Sequence, residues 1–123
     1  MAQFPPSAAT TVMVGEINTT IHCTSFNDRH SVLITQTENF GTWINAWTEE
    51  CADGKLLFQT KVLLGKRDDP VLHIFARQIV EKIALTSISK KPLLLSIALV
   101  DSGKSAKAME TILNKLFEIN TWQ

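Results

Sequence analysis

The feature that most constrains this fold is a continuous apolar segment at residues 93–100, which reads LLLSIALV. The segment is too short to cross a bilayer, and only Ser96 interrupts it. A run of this length and hydrophobicity is typical of a strand that is buried on both faces. The sequence therefore predicts a sheet with this strand near its centre and with other layers covering it.

Five segments with the patterns of β-strands precede this run. The Asp53-Gly54 pair is the strongest hairpin motif among their connections. Because the connections are short, we expect consecutive strands to be antiparallel neighbours in one sheet. The predicted strands cover residues 10–15, 19–26, 31–37, 42–48 and 56–64.

The hydrophobic period changes to a helical one after Gly65. Asp69 is suited to the N-cap and Pro70 to the first helical position, and apolar residues then recur on one face to about residue 84. A second amphipathic helix is predicted from about residue 105 to residue 119. The amphipathic face of each predicted helix must be buried, which a sheet surface provides.

These segments predict an α+β fold in one domain. We expect a mainly antiparallel sheet of about six strands with two helices packed on it, in the order βββββαβα. The Pro-, Ser- and Ala-rich residues 1–9 are predicted to form a flexible N-terminal arm, and residues 10–123 the folded domain.

The charge balance argues against a nucleic-acid partner. Twelve basic residues are matched by twelve acidic ones, whereas binding to phosphates is driven by an excess of basic charge. Two distant cysteines and the lack of a secretory signal at the N-terminus predict the cytosol, with the nucleus as a second compartment. No membrane association is expected.

A phosphate-binding loop is suggested by residues 98–105, ALVDSGKS, which end a predicted strand and open a helix. However, Ala98 stands where the first glycine of that motif is needed, and only 18 residues follow Ser105. Too little chain remains for a further strand to supply an acidic magnesium ligand. We expect an ordinary turn here, and neither a nucleotide cofactor nor an enzymatic activity.

A metal site is equally poorly supported. His22 and Cys23 are adjacent on a predicted strand, so they point to opposite faces. His30 and Cys51 are not part of a close ligand pair such as CxxC. We also expect His73 to be solvated on the polar face of the first helix.

The fourth predicted strand has two large aromatic residues on one face, Trp43 and Trp47, with Asn45 between them. Such residues are frequent both in cores and in protein interfaces. Two helices cover only one face of the sheet, yet several strands are apolar on both. In the fifth strand, Val62 and Leu64 alternate with Leu63. The second face must be covered by another layer of this chain or by another protein, and the sequence leaves both open.

The first helix also has an apolar residue on its polar side. Ile74 lies among Arg77, Gln78 and Glu81 on the side predicted to face solvent. One exposed isoleucine is common on a protein surface, so it indicates a contact site only in combination with other features.

Several segments resemble the proteasome assembly chaperone 3 family. The most distinctive are residues 60–65, TKVLLG, and residues 69–77, DPVLHIFAR. The resemblance extends in order to residues 32–36, VLITQ, and to residues 92–99, PLLLSIAL.

This resemblance implies a small α+β protein that has no catalytic activity, cofactor or metal. Members of the family pair with the related proteasome assembly chaperone 4, or with themselves when alone. The pair binds proteasome α subunits, promotes assembly of the α-ring of the 20S core particle and leaves before maturation. The alternative that remains open is a generic α+β dimerisation adaptor of another cytosolic complex.

The resemblance supplies no contact residues, so these are inferred from patterning. We assign Trp43 and Trp47 to the dimer face. We assign Ile74, Arg77 and Glu81 to the side that meets an α subunit.

Overall fold

The computed structural model describes residues 6–36, 41–65, 69–86, 91–100 and 105–119. These residues form one six-stranded sheet and two helices, in the predicted order and in the predicted α+β class. The elements are β1 (Ser7–Val14), β2 (Ile17–Ser25), β3 (His30–Thr35), β4 (Thr42–Glu50), β5 (Leu56–Leu64), α1 (Pro70–Thr86), β6 (Leu93–Ala98) and α2 (Ala106–Ile119).

The first strand begins earlier than the sequence suggests. Residues 7–9, which we assigned to the N-terminal arm, belong to β1 and pair with β2. Small residues such as Ala8 and Ala9 have weak strand propensity, so the ladder with β2 determines their conformation. Pro6 is also held, since its carbonyl accepts a hydrogen bond of 2.9 Å from the Ser25 N–H. Residues 1–5 of the predicted arm lie outside the described residues.

The strands are arranged in the order β1-β2-β3-β6-β4-β5. Strand β6 runs parallel to β3 and antiparallel to β4, and the other three pairings are antiparallel. The expectation that all consecutive strands are neighbours is therefore wrong for β3 and β4. The apolar strand β6 separates them, because a central position pairs both of its edges. The prediction that other layers cover both of its faces is wrong for the described residues: Leu93, Leu95 and Ile97 lie under the helices, whereas Leu94 is only half-buried on the side without a covering layer.

Both helices pack on the same face of the sheet. Helix α1 lies against β4, β5 and β6, and α2 lies against β1 and β2. The sheet residues that point towards the helices alternate along each strand with residues on the other face. The core contains the fully buried Phe75, Ile79 and Ile83 of α1, Ile112 and Leu116 of α2, and Ile21, Ile34, Ile44, Leu93, Leu95 and Ile97 of the sheet.

Local signals fix the helix starts and the β4–β5 hairpin. The Asp69 carboxylate accepts a hydrogen bond of 3.1 Å from the Val71 N–H, which confirms the predicted N-cap. In the hairpin, Gly54 has a φ of 85°, and the Cys51 N–H donates to the Lys55 carbonyl at 2.8 Å. A left-handed residue at this position suits glycine, as the Asp-Gly motif predicts.

An irregularity in β5 overturns one facing prediction. Trp43 is opposite Leu64, but Ile44 is opposite Val62, so Leu63 is an extra residue in the ladder. Such a bulge shifts the alternation that follows it. Leu64 consequently lies beside Trp43 and is 63% exposed, instead of sharing the buried side of Val62.

Candidate interaction surfaces

The second face of the sheet has no covering layer among the described residues. All six strands lie in one sheet, and both helices belong to the core on the other side. We call the uncovered side the open face. Of the two possibilities that the sequence left, a second layer built from strands of this chain is absent from the described ranges.

Residues from five strands align in one row across the open face. The pairing register places His22, Leu33, Ser96, Trp43 and Leu64 side by side. Ser96 is small and buried, so it leaves room between the larger side chains on either side of it. The row therefore runs from the polar His22 to the apolar Trp43 and Leu64 and crosses the whole width of the face between them.

The open face is divided into a polar and an apolar half. Strands β1 and β2 contribute mostly threonine and other polar side chains, whereas the remaining strands contribute most of the large apolar ones, with the polar Asn45, Gln59 and Lys61 among them. Large apolar side chains that are gathered on one uncovered face mark a surface that binds another molecule more often than an ordinary solvated surface does. The apolar half consists of Leu33, Leu94, Trp43, Trp47, Leu57 and Leu63.

The structure brings Trp43 and Trp47 together on the open face. Both are half-buried, and they alternate with the buried Ile44 and Ala46, which point into the helix-covered core. The indole N–H of Trp47 donates a hydrogen bond of 2.9 Å to Glu49 Oε1, which satisfies its polar atom at the edge of the apolar half. The use of these tryptophans in pairing stays a prediction.

A polar border lies at one end of the apolar half. Asp28 and Arg29, in the turn between β2 and β3, line a shallow depression together with Leu63 and Leu94. The Arg29 guanidinium lies 2.9 Å from the Asp28 carboxylate, and this hydrogen bond lowers the pKa of Asp28 below its ordinary value of 3.8. The border therefore stays ionised at neutral pH.

Sequence reasoning did not assign Leu94 to this surface. The high apolar content of the run hid the alternation within it, in which Leu93, Leu95 and Ile97 face the core. Period-two spacing from the buried Leu95 would have placed Leu94 on the other face.

The outer side of α1 carries the second group of predicted contact residues. Ile74 is 44% exposed, and Arg77 and Glu81 are also exposed one and two turns further along the helix. Spacings of three and four residues place them in one stripe. The prediction for His73 is wrong, since it is half-buried and shares a hydrogen bond of 2.8 Å between its Nδ1 and the Thr60 hydroxyl. The interaction of β5 with α1 draws the imidazole inward.

The described residues place the suspected metal ligands apart. His22 is exposed on the open face, whereas Cys23 is fully buried in the core. His30 is also buried, and its Nδ1 lies 2.8 Å from the Ser25 hydroxyl. Among the described residues, no three histidine, cysteine, aspartate or glutamate side chains are grouped to hold a metal ion.

The suspected phosphate-binding loop falls mostly outside the described residues, which omit residues 101–104. The Ser105 hydroxyl accepts a hydrogen bond of 3.1 Å from the Ala108 N–H and so caps α2. An ordinary turn in front of this cap stays a prediction. Neither helix is long and apolar enough, over its described residues, to cross a membrane.

Comparison with known proteins decides the family. The family model described as proteasome assembly chaperone 3 matches residues 32–119 of this chain. The chain belongs to the proteasome assembly chaperone 3 family. This confirms the resemblance found in the sequence and places the chain in a family of chaperones, which is not an enzyme family.

Two relatives show how far the similarity extends. Proteasome assembly chaperone 3 of Bos taurus is 30% identical over 114 residues, which cover 91% of this chain and 90% of the relative. The Homo sapiens protein of the same name is 30% identical over 106 residues, 84% of this chain and 85% of the relative.

A solved structure described as a novel chaperone complex for yeast 20S proteasome assembly contains a chain with a similar fold. The two chains superpose with a TM-score of 0.66 at 17% sequence identity, over 89% of this chain and 97% of the yeast chain. The proteasome assembly chaperone 3 family and the yeast chain thus have the same α+β architecture.

Proposed function

We propose that this chain promotes assembly of the 20S proteasome core particle as one half of a chaperone dimer. The partner in the dimer is the related proteasome assembly chaperone 4, or a second copy of this chain when it is alone. The dimer binds α subunits, orders them into the α-ring and leaves before the core particle matures. This assembly takes place in the cytoplasm and also in the nucleus.

Membership of the family is the observation that carries this proposal. The yeast chain of similar fold comes from a complex described as assembling the 20S proteasome, which supports the same role and the need for a second chain. The fold suggests how the chain would take part, because the open face and the outer side of α1 are two separate surfaces on opposite sides of the molecule.

The apolar half of the open face is the surface that we assign to pairing. Trp43 and Trp47 lie near its middle, and Leu33 is 38% and Leu63 50% exposed. Burying these side chains against the open face of a partner removes apolar surface from water, which stabilises a complex by roughly 25 cal/mol for each Å². In the unpaired chain, the polar half of the open face remains hydrated.

The outer stripe of α1 is the surface that we assign to α subunits. Ile74, Arg77 and Glu81 combine one apolar and two oppositely charged side chains. A small and partly polar contact of this kind favours an interface that forms and is released again, as a chaperone that leaves its client requires.

Co-purification tests the proposal directly. The tagged chain is expressed in the cells it comes from, recovered gently, and its companions are identified by mass spectrometry. We expect α subunits and a second small chaperone, with few mature β subunits. Recovery of neither would contradict the proposal and leave the adaptor of another complex as the better reading.

Two variants assign the surfaces in the same experiment. Trp43→Ser with Trp47→Ser should lose the second chaperone, and Ile74→Asp with Arg77→Glu should lose the α subunits while keeping the second chaperone. Leu85→Ser is the matched control, because this leucine is 72% exposed at the other end of α1. Loss of both companions in every variant, including the control, would contradict the assignment of separate surfaces.

A further inference from the structure

Strand β5 is an outer strand of the sheet. Among the strands that the structure describes, its one neighbour is β4, so its other edge directs backbone N–H and C=O groups away from the sheet. An exposed edge can pair with an extended segment of another chain, and proteins commonly interrupt such edges with a lysine or a bulge. Here both devices lie late in the strand, at Lys61 and Leu63. The first part of β5, residues 56–60, is left regular and unprotected.

A groove runs between this edge and helix α1. The strand side of the groove is formed by Phe58, Gln59 and Thr60, and the helix side by His73, Ile74 and Arg77. The hydrogen bond between the Thr60 hydroxyl and His73 Nδ1 fixes the strand to the helix at this point. A strand edge beside a helix is the geometry in which several peptide-binding domains accept an added strand.

The groove has one apolar and one charged contact to offer. Phe58 and Ile74 provide the apolar contact, and Ile74 is 44% exposed. Arg77 is exposed, and within the described ranges no carboxylate forms an ion pair with it, including Glu81 one turn further along. An acidic side chain that enters the groove would therefore meet a guanidinium for which the described residues supply no competing carboxylate.

We propose that an extended segment of a partner protein adds to β5 as a seventh strand over residues 56–60. The segment places an apolar side chain against Phe58 and Ile74 and, two positions away, an acidic side chain against Arg77. Side chains two positions apart on a strand point to the same side, so both enter the groove. The proposal rests on the proposed function only for the identity of the partner, which is then an α subunit.

A second copy of this chain fits the edge poorly. Pairing residues 56–60 of two copies antiparallel around a two-fold axis at Phe58 would place Lys61 of each copy opposite Lys55 of the other. Like charges opposed across strands are destabilising. The charge of the groove thus selects a different, acidic segment.

Peptide titration of the purified chain, followed by NMR of its backbone amides, tests the proposal without any proteasome subunit. The probe is a capped five-residue peptide with valine and glutamate two positions apart among threonines. We expect the amide signals of residues 56–60 and of Ile74 and Arg77 to shift together. A peptide with lysine in place of glutamate should bind about three- to fivefold more weakly, since one partly exposed ion pair is reversed. N-methylation removes N–H donors from the peptide backbone. Of two peptides that are methylated at alternate nitrogens, the one that has lost the N–H groups facing β5 should not bind.

Charge reversal in the protein provides the decisive comparison. Arg77→Glu should prefer the lysine peptide, whereas the control Leu85→Asp should bind both peptides as the unmodified chain does. Shifts confined to the open face, unchanged preference in Arg77→Glu, or no binding at millimolar peptide would overturn the added strand. Sedimentation that shows β5-dependent self-association, removed by Gln59→Pro but not by Trp43→Ser, would overturn it in favour of a second copy. Because α-subunit recovery is measured separately, a negative titration with intact recovery refutes this inference alone.

Discussion

Some buried side chains of the sheet are polar, and one of them is the imidazole of His30. His30 is 1% exposed and lies at the start of β3, opposite Ser25 on β2, whose hydroxyl is 2.8 Å from its Nδ1. Burial, with a smaller contribution from the charge of Lys91, holds the pKa of His30 below the ordinary value of 6.5. The folded chain therefore keeps this imidazole neutral where an unfolded chain would protonate it.

This depressed pKa makes stability sensitive to acid. Below about pH 6.5 the unfolded state takes up a proton that the folded state resists, so the free energy of unfolding falls until the pH passes the folded pKa. The slope that one such group adds is at most about 1.4 kcal/mol per pH unit. Urea unfolding between pH 7.5 and pH 5, compared in the same buffers, should show a shallower decline for His30→Gln.

His22→Gln is the matched control, because His22 is exposed on the open face. Its decline with acid should follow that of the unmodified chain. An unchanged slope in His30→Gln would mean that carboxylates, and not this histidine, determine the acid sensitivity.

Gly41 marks a place where the backbone of β4 approaches β6 too closely for a side chain. A methyl group at this position would overlap the Ile97 carbonyl and lie 2.8 Å from the Ala98 nitrogen. Gly41→Ala should lower the free energy of unfolding by about 1–3 kcal/mol, the usual range for overpacking. Thermal and urea unfolding measure this loss.

Gly15→Ala separates crowding from backbone conformation. Gly15 has open space around it but a φ of 66°, so its replacement adds only the strain of a left-handed residue, roughly 1 kcal/mol. A larger loss for Gly15→Ala than for Gly41→Ala would contradict the close approach of β4 to β6.

At the scale of elements, both helices start with a side-chain cap. Asp69 accepts from the Val71 N–H and Ser105 from the Ala108 N–H, each at 3.1 Å. Replacing a cap with alanine leaves an N–H group of the first turn without its partner. The two helices cover different strands, so each cap tests a different part of the molecule.

Asp69→Ala should destabilise the fold by about 0.5–2 kcal/mol. The amide oxygen of an asparagine can still accept the bond from the Val71 N–H, so Asp69→Asn should retain most of the stability and lose only the attraction of the negative charge to the positive end of the helix. Differential scanning calorimetry of the two variants measures the difference. Equal losses in Asp69→Ala and Asp69→Asn would show that the charge, and not the hydrogen bond, is the stabilising feature.

Elements with local causes were predictable from the sequence. The Asp69 cap, the Asp53-Gly54 hairpin and the helical face of α1 each depend on residues close together in the chain. The place of β6 between β3 and β4 was not, because nothing local specifies which distant edges a buried strand joins. The bulge at Leu63 has no sequence marker either, and it moved Leu64 to an unexpected position.

At the scale of the whole molecule, the two sides of the sheet differ in what covers them. The helix-covered side holds the core, and the open face carries Trp43 and Trp47 where the sequence left core and interface as alternatives. Their same-face placement followed from period-two spacing. Their distance from the core could not be known before the strand order and helix positions were available.

The open face should determine the oligomeric state. Sedimentation velocity of the purified chain should show a species of about twice the mass of one chain, because pairing through the apolar half would remove its exposed side chains from water. Trp43→Ser with Trp47→Ser should shift this species to a mass near 13.7 kDa. The fold should survive, since both side chains lie outside the helix-covered core.

Leu85→Ser is again the control, with its mass expected to remain doubled. An unchanged dimer in the double tryptophan variant, with either this chain or the related chaperone as partner, would remove the tryptophans from the pairing surface.

The central position of β6 also has a consequence for synthesis on the ribosome. Residues 93–98 are synthesised after β1 to β5, yet they join β1-β2-β3 to the β4–β5 hairpin. Until then the nascent chain consists of two separate antiparallel pieces, and the edges of β3 and β4 that will receive β6 are exposed. A member of a chaperone family thus has a sheet that cannot close until β6, which follows the other five described strands in the sequence, has been synthesised.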